Sequence, residues 1–374
     1  MNILVSCLSK SWGGMEMFVI SSIKLLLKEG HTVILASIEN SPIDKESRAL
    51  DIKSLHFDSS PMSLKSMLIF KKTLQEKKID LIHTHFSKDL WLIVPALKLS
   101  GLKTPLVMTK HIGSAIEKKD PLHNLIYKRL DCAIAISEVI RQNLLDTTIL
   151  GEEKVALVHN FIDTAKFIKK DASQNLRKEF QVSPSSTVVG MVGRISPGKG
   201  HEDVIEAVRI IAEEKPDIKV VFVGASQENE RQYEAGLKEK IRGYGLDEYF
   251  VFTGFRKDIP ELLSFFDIFL FPSHAEAFGL SLLEAMATGL PNIVCYSDGV
   301  KDIALGDVTS LTYGRGDYKT LAGHIKKLLS DPELSSLLSK NSLERVRLFS
   351  PEIFQEKIEK LYGEILLKKK KPNK

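Results

Sequence analysis

The stretch Asp267-Ile-Phe-Leu-Phe-Pro272, followed by Glu276-Ala-Phe-Gly-Leu-Ser-Leu-Leu-Glu284, decides the fold of this chain. Its first part is an apolar run typical of a buried strand, and its second part leads into a helix-forming segment that stops at Gly289 and Pro291. The pattern predicts a strand, a loop and a helix, the repeating unit of a parallel α/β sheet. Glu276 then lies in the loop at the carboxyl end of the strand, where such sheets bind ligands.

Glu284 follows Glu276 by eight residues and lies within the predicted helix. Phe278, Gly279 and Leu280 supply the first backbone amides of this helix, and a helix amino end attracts phosphate. A carboxylate accepts hydrogen bonds from hydroxyl groups, so the pair also suits a sugar or a ribose. Two solvent-exposed glutamates are the alternative interpretation of the same residues.

A second strand, loop and helix unit begins at Thr187-Val-Val-Gly-Met-Val192. The loop Gly193-Arg194-Ile-Ser-Pro-Gly198-Lys199-Gly200 follows, and an amphipathic helix begins at His201. Glycines let the backbone approach an anion, and Arg194 and Lys199 can neutralise it. The spacing matches neither a Walker loop nor the GxGxxG dinucleotide fingerprint, so an ordinary glycine-rich turn with solvated charges remains the alternative.

Strand-like and helix-like segments alternate along the whole chain of 374 residues. At about 150 residues per domain, this length predicts two or three domains. The first half contains seven strand-like segments and the second half contains six, each pair separated by a crossover long enough for a helix. Two parallel sheets with right-handed crossovers are therefore expected. The polar segment 160–186 is interpreted as the crossing between the domains.

The composition excludes several classes of protein. The net charge of +4 comes from an excess of cations in residues 1–167 and in the C-terminal tail, without the interleaved aromatic residues that favour nucleic-acid binding. The three cysteines are scattered in apolar contexts, which indicates buried thiols in a reducing cytoplasm rather than a zinc site. The chain shows no run of 18 apolar residues and no signal-peptide pattern at its start.

Further motifs occur in a fixed order along the chain: Gly13-Gly14-Met15-Glu16, Glu29-Gly30-His31, Asp80-Leu-Ile-His83-Thr-His85, Leu106-Val-Met-Thr-Lys-His111, Val158-His-Asn160-Phe-Ile-Asp163 and Gly254-Phe255. Together with the two loops above, they resemble the retaining glycosyltransferases of family 4, which have the GT-B fold. The resemblance covers most of the chain. It rests on the order and spacing of these motifs, since each motif alone is weak.

The resemblance implies an architecture and domain boundaries. Two Rossmann-like domains with parallel sheets are expected to face each other across a cleft. Residues 1–167 would form the acceptor-side domain and residues 168–350 the nucleotide-sugar donor domain. Residues 351–374 would form a helix that crosses back to the first domain, followed by a polybasic tail; the apolar stripe of this segment suits a docked helix.

The resemblance also implies the donor site. Arg194 and Lys199 would bind the donor diphosphate, which Gly13 and Gly14 would approach from the first domain. Glu284 would bind the ribose hydroxyls. The remaining donor contacts would come from Glu276 and the amides of Phe278, Gly279 and Leu280 at the sugar, and from Arg256 near the base.

Catalysis is expected to depend on His111, Arg194, Lys199 and Glu276. By resemblance, His111 lies under the donor sugar, although a structural histidine is the alternative. No enzyme nucleophile of the double-displacement kind is evident, which favours front-face transfer with retention of configuration. Glu16, His83 and His85 are candidates for the acceptor side, with strand-end packing as the alternative for the two histidines.

The predicted activity is a hexosyltransferase that moves a sugar from a nucleotide-diphospho-sugar, with a UDP-sugar as the expected donor. No metal cofactor is expected, because the chain offers no Asp-x-Asp pair in a suitable loop and the segment Asp44-Lys-Glu46 is interpreted as surface. A nucleotide-sugar epimerase and a non-catalytic GT-B scaffold are the alternatives.

The expected acceptor is an envelope glycan or glycolipid, such as lipopolysaccharide core or a polysaccharide precursor. The basic amphipathic segment 63–78 and the polybasic tail favour a cytoplasmic protein on the inner face of the membrane, bound to anionic lipid. An ordinary solvated helix face is the alternative for segment 63–78.

Overall fold

The computed structural model describes residues 1–58, 63–170 and 174–370. It divides into two compact units, of which the first contains Met1–Asn160 and the segment from Pro351 onward, and the second contains Phe161–Ser350. The second unit begins before residue 168, where the sequence placed the boundary. Phe161, Ile162 and Phe167 are buried, and the Ile162 amide donates to the Phe349 carbonyl at 3.1 Å, which ties this segment to the second unit.

The first unit is built around a seven-stranded parallel sheet in the order β3-β2-β1-β4-β5-β6-β7. Its strands are β1 Asn2–Ser6, β2 Thr32–Ile38, β3 Ser54–Phe57, β4 Leu81–Thr84, β5 Leu106–Lys110, β6 Cys132–Ala135 and β7 Val155–Leu157. Its helices before the second unit are α1 Gly14–Lys28, α2 Pro42–Ala49, α3 Leu64–Glu76, α4 Leu90–Ser100, α5 Pro121–Lys128 and α6 Glu138–Thr147. Strands β4, β5 and β6 are buried along their whole length, as parallel strands covered on both faces must be.

The second unit contains a six-stranded parallel sheet in the order β10-β9-β8-β11-β12-β13. Its strands are β8 Thr187–Val192, β9 Ile218–Val223, β10 Phe250–Phe252, β11 Ile268–Phe271, β12 Asn292–Cys295 and β13 Ser310–Tyr313. Its helices are α7 Gln174–Glu179, α8 His201–Ile211, α9 Arg231–Gly243, α10 Ile259–Phe265, α11 Leu280–Ala287, α12 Val300–Ile303, α13 Tyr318–Ser330 and α14 Pro332–Val346.

The last helix, α15 Pro351–Lys370, packs on the first unit. Phe354 meets Phe18 edge-on with ring centroids 5.4 Å apart, and Glu359 accepts a hydrogen bond from His31 at 2.6 Å. The fold class expected from the sequence, two parallel α/β domains with a C-terminal helix that returns to the first, is confirmed. The polybasic tail beyond this helix lies outside the described residues.

The interpretation of Asp44 as a surface residue is wrong. Asp44 lies in α2, a helix that the sequence did not predict, and is fully buried. Arg48 contacts its carboxylate at 2.9 Å and His56 at 2.7 Å. Burial alone would raise the pKa of Asp44, but the hydrogen bonds from the Asn40 amide and Arg48 and the proximity of His56 lower it overall. Asp44 therefore anchors α2 in the first unit.

Candidate active site

The order of strands in the second unit changes direction between β8 and β11, and a ligand-binding crevice is expected at such a point. The two loops predicted from the sequence follow these two strands. They are joined directly, because the His274 amide donates to the Gly198 carbonyl at 2.8 Å. The loop after β12 joins them through a hydrogen bond of 3.0 Å from the Gly299 amide to the Glu276 carbonyl.

Two glycines allow the loops to approach this closely. Gly200 has a φ of +81°, and a Cβ atom there would lie 2.1 Å from the Pro272 carbonyl oxygen. A Cβ atom on Gly299 would lie 2.3 Å from the carbonyl oxygen of Ala277. No side chain fits at either distance, so glycine is required for the three loops to meet.

Lys199 and Glu276 form an ion pair at the centre of this edge. The Lys199 Nζ lies 2.6 Å from Glu276 Oε2, and Ser273 Oγ donates to the same oxygen at 3.3 Å. Both charged groups line a small cavity of about 50 Å³, together with Gly193 and Ser281. The sequence assigned Lys199 to a phosphate and Glu276 to a sugar, and the structure places these two residues in direct contact.

Arg194 lies on the same loop but does not join that pair. Its Nε lies 3.6 Å from Glu230 Oε2, and about half of its side chain is exposed (49%). Glu230 was not anticipated, because it follows β9 and reaches Arg194 only since β8 and β9 are neighbours in the sheet. The guanidinium is thus free to move toward a ligand while its loop stays fixed.

Glu284 projects from α11 without a partner. Among the described residues, none donates a hydrogen bond to its half-buried carboxylate, and burial raises the pKa of Glu284 to about 7. The amides of Gly279, Leu280 and Ser281 at the start of α11 likewise find no acceptor within the described ranges. Three amides at the start of α11, and a carboxylate further along the same helix, are therefore available to a ligand.

Two other residues predicted to contact the donor have side chains that are engaged within the second unit, one by packing and one by ion pairs. The Phe278 ring is buried against Phe349 with ring centroids 5.9 Å apart, so its side chain is part of the core. The Arg256 guanidinium binds Asp258 at 2.6 Å and also contacts Glu179. These hydrogen bonds, the one that Arg256 donates to Asp258 foremost, raise the pKa of Arg256 further above its usual range.

Sequence reasoning missed a buried support for the edge. Asp203 in the first turn of α8 contacts His274 Nε2 at 2.6 Å and accepts a hydrogen bond from the Gly316 amide at 3.2 Å. The loops after β11 and β13 are held together through this one carboxylate. The available signal was a histidine directly after a strand end, but its partner could be identified only from the fold.

In the first unit, the predicted histidines form one buried cluster. His85 Nδ1 lies 3.1 Å from His111 Nε2, and the rings of His83 and His85 stack with centroids 4.2 Å apart. Both nitrogens of His83 are engaged, by the Tyr362 hydroxyl at 2.5 Å and by Thr109 Oγ1 at 2.7 Å. His83 therefore connects α15 to the sheet, in line with the packing alternative.

Burial lowers the pKa of His83 and of His111 to about 3, and lowers that of His85 well below its ordinary value. All three imidazoles are therefore neutral at physiological pH. In the contact between His85 Nδ1 and His111 Nε2, one neutral ring must therefore donate the proton and the other accept it. The catalytic role of His111 stays a prediction.

The loop after β1 carries the remaining candidates of the first unit. Gly13 caps α1 in an extended conformation that any residue can adopt, and a Cβ atom there would lie 3.6 Å from Glu16 Oε2. Gly14 is the first residue of α1, and Glu16 is buried. The order of strands in this sheet changes direction between β1 and β4, so Gly13, Glu16, His83 and His85 lie around its expected ligand edge.

Comparison with known proteins gives consistent results for the two units. A family model described as Glycosyltransferase Family 4 matches residues 12–166, and one described as Glycosyl transferases group 1 matches residues 172–345. An N-acetyl-alpha-D-glucosaminyl L-malate synthase of Bacillus anthracis is 26% identical over 83% of this chain and 81% of its own length.

Two further relatives span nearly the whole chain. The UDP-Gal:alpha-D-GlcNAc-diphosphoundecaprenol alpha-1,3-galactosyltransferase of Escherichia coli is 27% identical, with 95% of each chain covered. The Anabaena HepE structure, in complex with UDP and glucose, superposes with a TM-score of 0.84 at 23% identity, over 97% of this chain and 100% of that one.

Two parallel-sheet domains and family matches over both of them define a glycosyltransferase with the GT-B fold. Within that class, the chain belongs to glycosyltransferase family 4.

Proposed function

We propose that this enzyme transfers a sugar from a UDP-sugar to a hydroxyl group of a glycan or glycolipid, with retention of the anomeric configuration. The observation that carries the donor assignment is the Lys199–Glu276 pair at the strand edge, together with the Glu284 carboxylate in α11, which has no hydrogen-bond donor among the described residues. The name of the Escherichia coli relative includes a UDP-sugar donor, and the Anabaena structure contains UDP and glucose. Both support a uridine nucleotide here.

The donor diphosphate needs positive charge where its leaving oxygen becomes anionic. Lys199 supplies a charge at the end of the loop after β8, and the amides of Gly279, Leu280 and Ser281 supply uncharged donors. Arg194 adds a second cation when its side chain turns from Glu230. Glu284 accepts the ribose hydroxyls.

Donor binding exchanges the partners of the Lys199–Glu276 pair. In the structure Lys199 contacts Glu276 at 2.6 Å, so each of the two charges has a partner. When the diphosphate binds Lys199, Glu276 is released to accept hydroxyl groups of the donor sugar. The cavity of about 50 Å³ at this pair is far smaller than a nucleotide sugar, so it holds only part of the donor.

Retention is proposed from the similarity to the retaining enzymes of family 4, and the remaining question is how it is achieved. Glu276, the carboxylate that we assign to the sugar, is paired with Lys199 and serves as a hydroxyl acceptor rather than as a nucleophile, which favours front-face transfer over double displacement. The leaving phosphate then takes the proton of the acceptor hydroxyl, and the new bond forms on the face from which the phosphate departs. No metal is needed in this scheme, because Lys199, Arg194 and amides neutralise the phosphate.

The acceptor is lipid-linked or part of an envelope glycan, and the enzyme binds the inner face of the membrane peripherally. Helix α3 exposes Leu64 and Leu68 together with Lys65 and Lys72, which suits an anionic lipid surface. Within the described residues no helix has the length and apolar character required to cross a bilayer.

The donor assignment is tested by thermal stabilisation with a panel of nucleotide diphosphates and nucleotide sugars. UDP at 100 times its dissociation constant should stabilise the protein by about 2.7 kcal/mol, with and without EDTA. Lys199→Ala should abolish the shift, whereas the exposed Lys340→Ala in α14 should preserve it.

Failure of every nucleotide to stabilise the wild-type protein would refute the donor assignment. If UDP stabilises the protein without EDTA but not in its presence, the proposed metal independence is refuted. The reaction class is tested with purified acceptor and UDP-sugar: a donor that changes configuration without acceptor would instead identify an epimerase. The anomeric configuration of the product, determined by NMR, decides retention.

A further inference from the structure

Lys110, the last residue of β5, is a buried lysine without an anionic partner. Its side chain is 7% exposed, and within the described residues no carboxylate or other acceptor contacts its ammonium group. Buried lysines are normally paired, because desolvating an isolated charge is costly. An ammonium group held without a partner is therefore a candidate for binding an anion supplied from outside.

A second lysine, Lys118, is near enough to act on Lys110 through its charge and a side-chain hydrogen bond. Lys118, in the loop after β5, donates to the buried hydroxyl of Tyr127 at 3.5 Å. Burial, followed by the nearby charge of Lys118, lowers the pKa of Lys110 to about 8. The acidic residues closest in sequence are Glu117 and Asp120, and Asp120 is occupied in capping α5 and binding His123.

The loop that carries Lys118 is held in place. The Lys118 amide donates to the Thr147 carbonyl at 2.7 Å, and the Asn143 side chain makes hydrogen bonds of 2.7 and 2.9 Å with the backbone of Ser114. The proximity of the two ammonium groups is therefore imposed by α6 and α5. Like charges held together in a fixed geometry repel each other and favour an anion that binds both.

Lys110 directly precedes His111, the predicted catalytic residue, but projects from the other side of the chain. Thr109 and His111 bond to His83 and His85, so alternation along the strand directs Lys110 to the opposite side. The segment that follows exposes more than half of each of four large apolar side chains: Ile112, Ile116, Leu122 and Leu125. A cationic pair with an apolar neighbourhood suits a phosphate group attached to a hydrophobic chain.

We propose that Lys110, Lys118 and Tyr127 form a binding site for a phosphate or diphosphate group of the acceptor. This inference rests on the proposed function only in assigning the phosphate to the acceptor. The two ammonium groups bind the phosphate oxygens, and the Tyr127 hydroxyl adds a neutral donor. The phosphate belongs either to a lipid, whose chain lies on the exposed apolar side chains, or to a soluble sugar phosphate.

The first experiment measures pyrophosphate binding by calorimetry, in the presence of saturating UDP so that the donor site is occupied. Lys110→Met and Lys118→Met keep the apolar stems and should each weaken pyrophosphate binding at least tenfold. The exposed Lys119→Met is the matched control and should change the affinity less than twofold. Far-UV circular dichroism and thermal unfolding establish that each variant is folded.

Wild-type affinity for pyrophosphate in both Lys110→Met and Lys118→Met would overturn the proposal, as would no binding by the wild-type protein. If UDP itself does not bind, the donor assignment fails. In that case the pyrophosphate affinities of the wild-type protein and these variants are measured without UDP. Weaker binding by Lys110→Met and Lys118→Met still supports the phosphate site, and unchanged binding still overturns it.

A second experiment distinguishes the two sources of phosphate. Phosphatidylcholine vesicles with and without phosphatidic acid are sedimented with the protein. Binding that requires phosphatidic acid, and is lost in Lys110→Met and in Leu122→Ser, identifies a lipid phosphate. Pyrophosphate binding without vesicle binding identifies a soluble phosphorylated acceptor.

Discussion

Replacing Glu284 with glutamine tests whether this carboxylate is kept for a ligand at the expense of stability. Burial raises the pKa of Glu284 from its ordinary value of 4.5 to about 7 in the folded protein. Below pH 4.5 both the folded and the unfolded chain hold the proton, so ionisation does not affect stability. Between pH 4.5 and 7 the unfolded chain releases the proton and the folded chain keeps it. Stability therefore falls as the pH rises through this window.

The magnitude follows from the same two values. At about 1.4 kcal/mol per pH unit, the difference between 4.5 and about 7 lowers the free energy of unfolding by about 3 kcal/mol at pH 8. Glutamine has nearly the same shape and does not ionise, so Glu284→Gln should be more stable than wild type by about this amount at pH 8. At pH 4 the two proteins should be nearly equal.

The assay is urea unfolding of both proteins across pH 4 to 8, together with UDP affinity by calorimetry. The variant should lose a charge-assisted acceptor for the ribose, which costs about 1.5–3 kcal/mol of binding, or roughly 10- to 100-fold in affinity. The exposed Glu239→Gln in α9 is the matched control and should change neither quantity. A stability difference between Glu284→Gln and wild type that stays constant across this pH range would refute the reasoning.

Two further predictions concern packing in the two units. Tyr362→Phe removes the hydroxyl partner of the buried His83 and should lower the free energy of unfolding by about 1–3 kcal/mol. In urea, the unfolding transition of the first unit should therefore move to a lower concentration. An unchanged midpoint would show that the hydrogen bond is not made in solution. Gly200→Ala and Gly198→Ala share a φ of +81°, but only the former directs its Cβ at the Pro272 carbonyl, at 2.1 Å. Gly198→Ala should therefore cost about 1 kcal/mol of stability from backbone strain, and Gly200→Ala about 2 kcal/mol or more beyond that. Equal losses for these two variants in thermal unfolding would mean that the loops do not meet as described.

Much of the fold was readable from local pattern. The apolar runs at Thr187–Val192 and Ile268–Phe271 are long enough to bury a strand on both faces, and each is followed by a loop and an amphipathic helix. The number of strands in each sheet was also predicted correctly, because every strand of a parallel sheet carries this signal. The helices α2 and α12 were missed, since short polar helices depend on caps and neighbours rather than on periodicity.

Residue types were predictable at the candidate site, but their partners were not. Lys199 and Glu276 were each singled out from glycine-rich and carboxylate motifs, yet their 2.6 Å contact arises because β8 and β11 are neighbours in the sheet. The same limit applied to Asp203 and His274, which are separated by 71 positions.

The sequence alone therefore determined the order of elements, the fold family and the residue types at the strand ends, because these depend on interactions between residues close along the chain. Tertiary structure alone decided which of these residues meet, which are buried and which remain unpartnered. The fold joins His83 to Tyr362, burial raises the pKa of Glu284, and Lys110 is near Lys118 with no counter-ion among the described residues. Each of these outcomes depends on desolvation and on charges brought together by strand order, neither of which is encoded in local spacing.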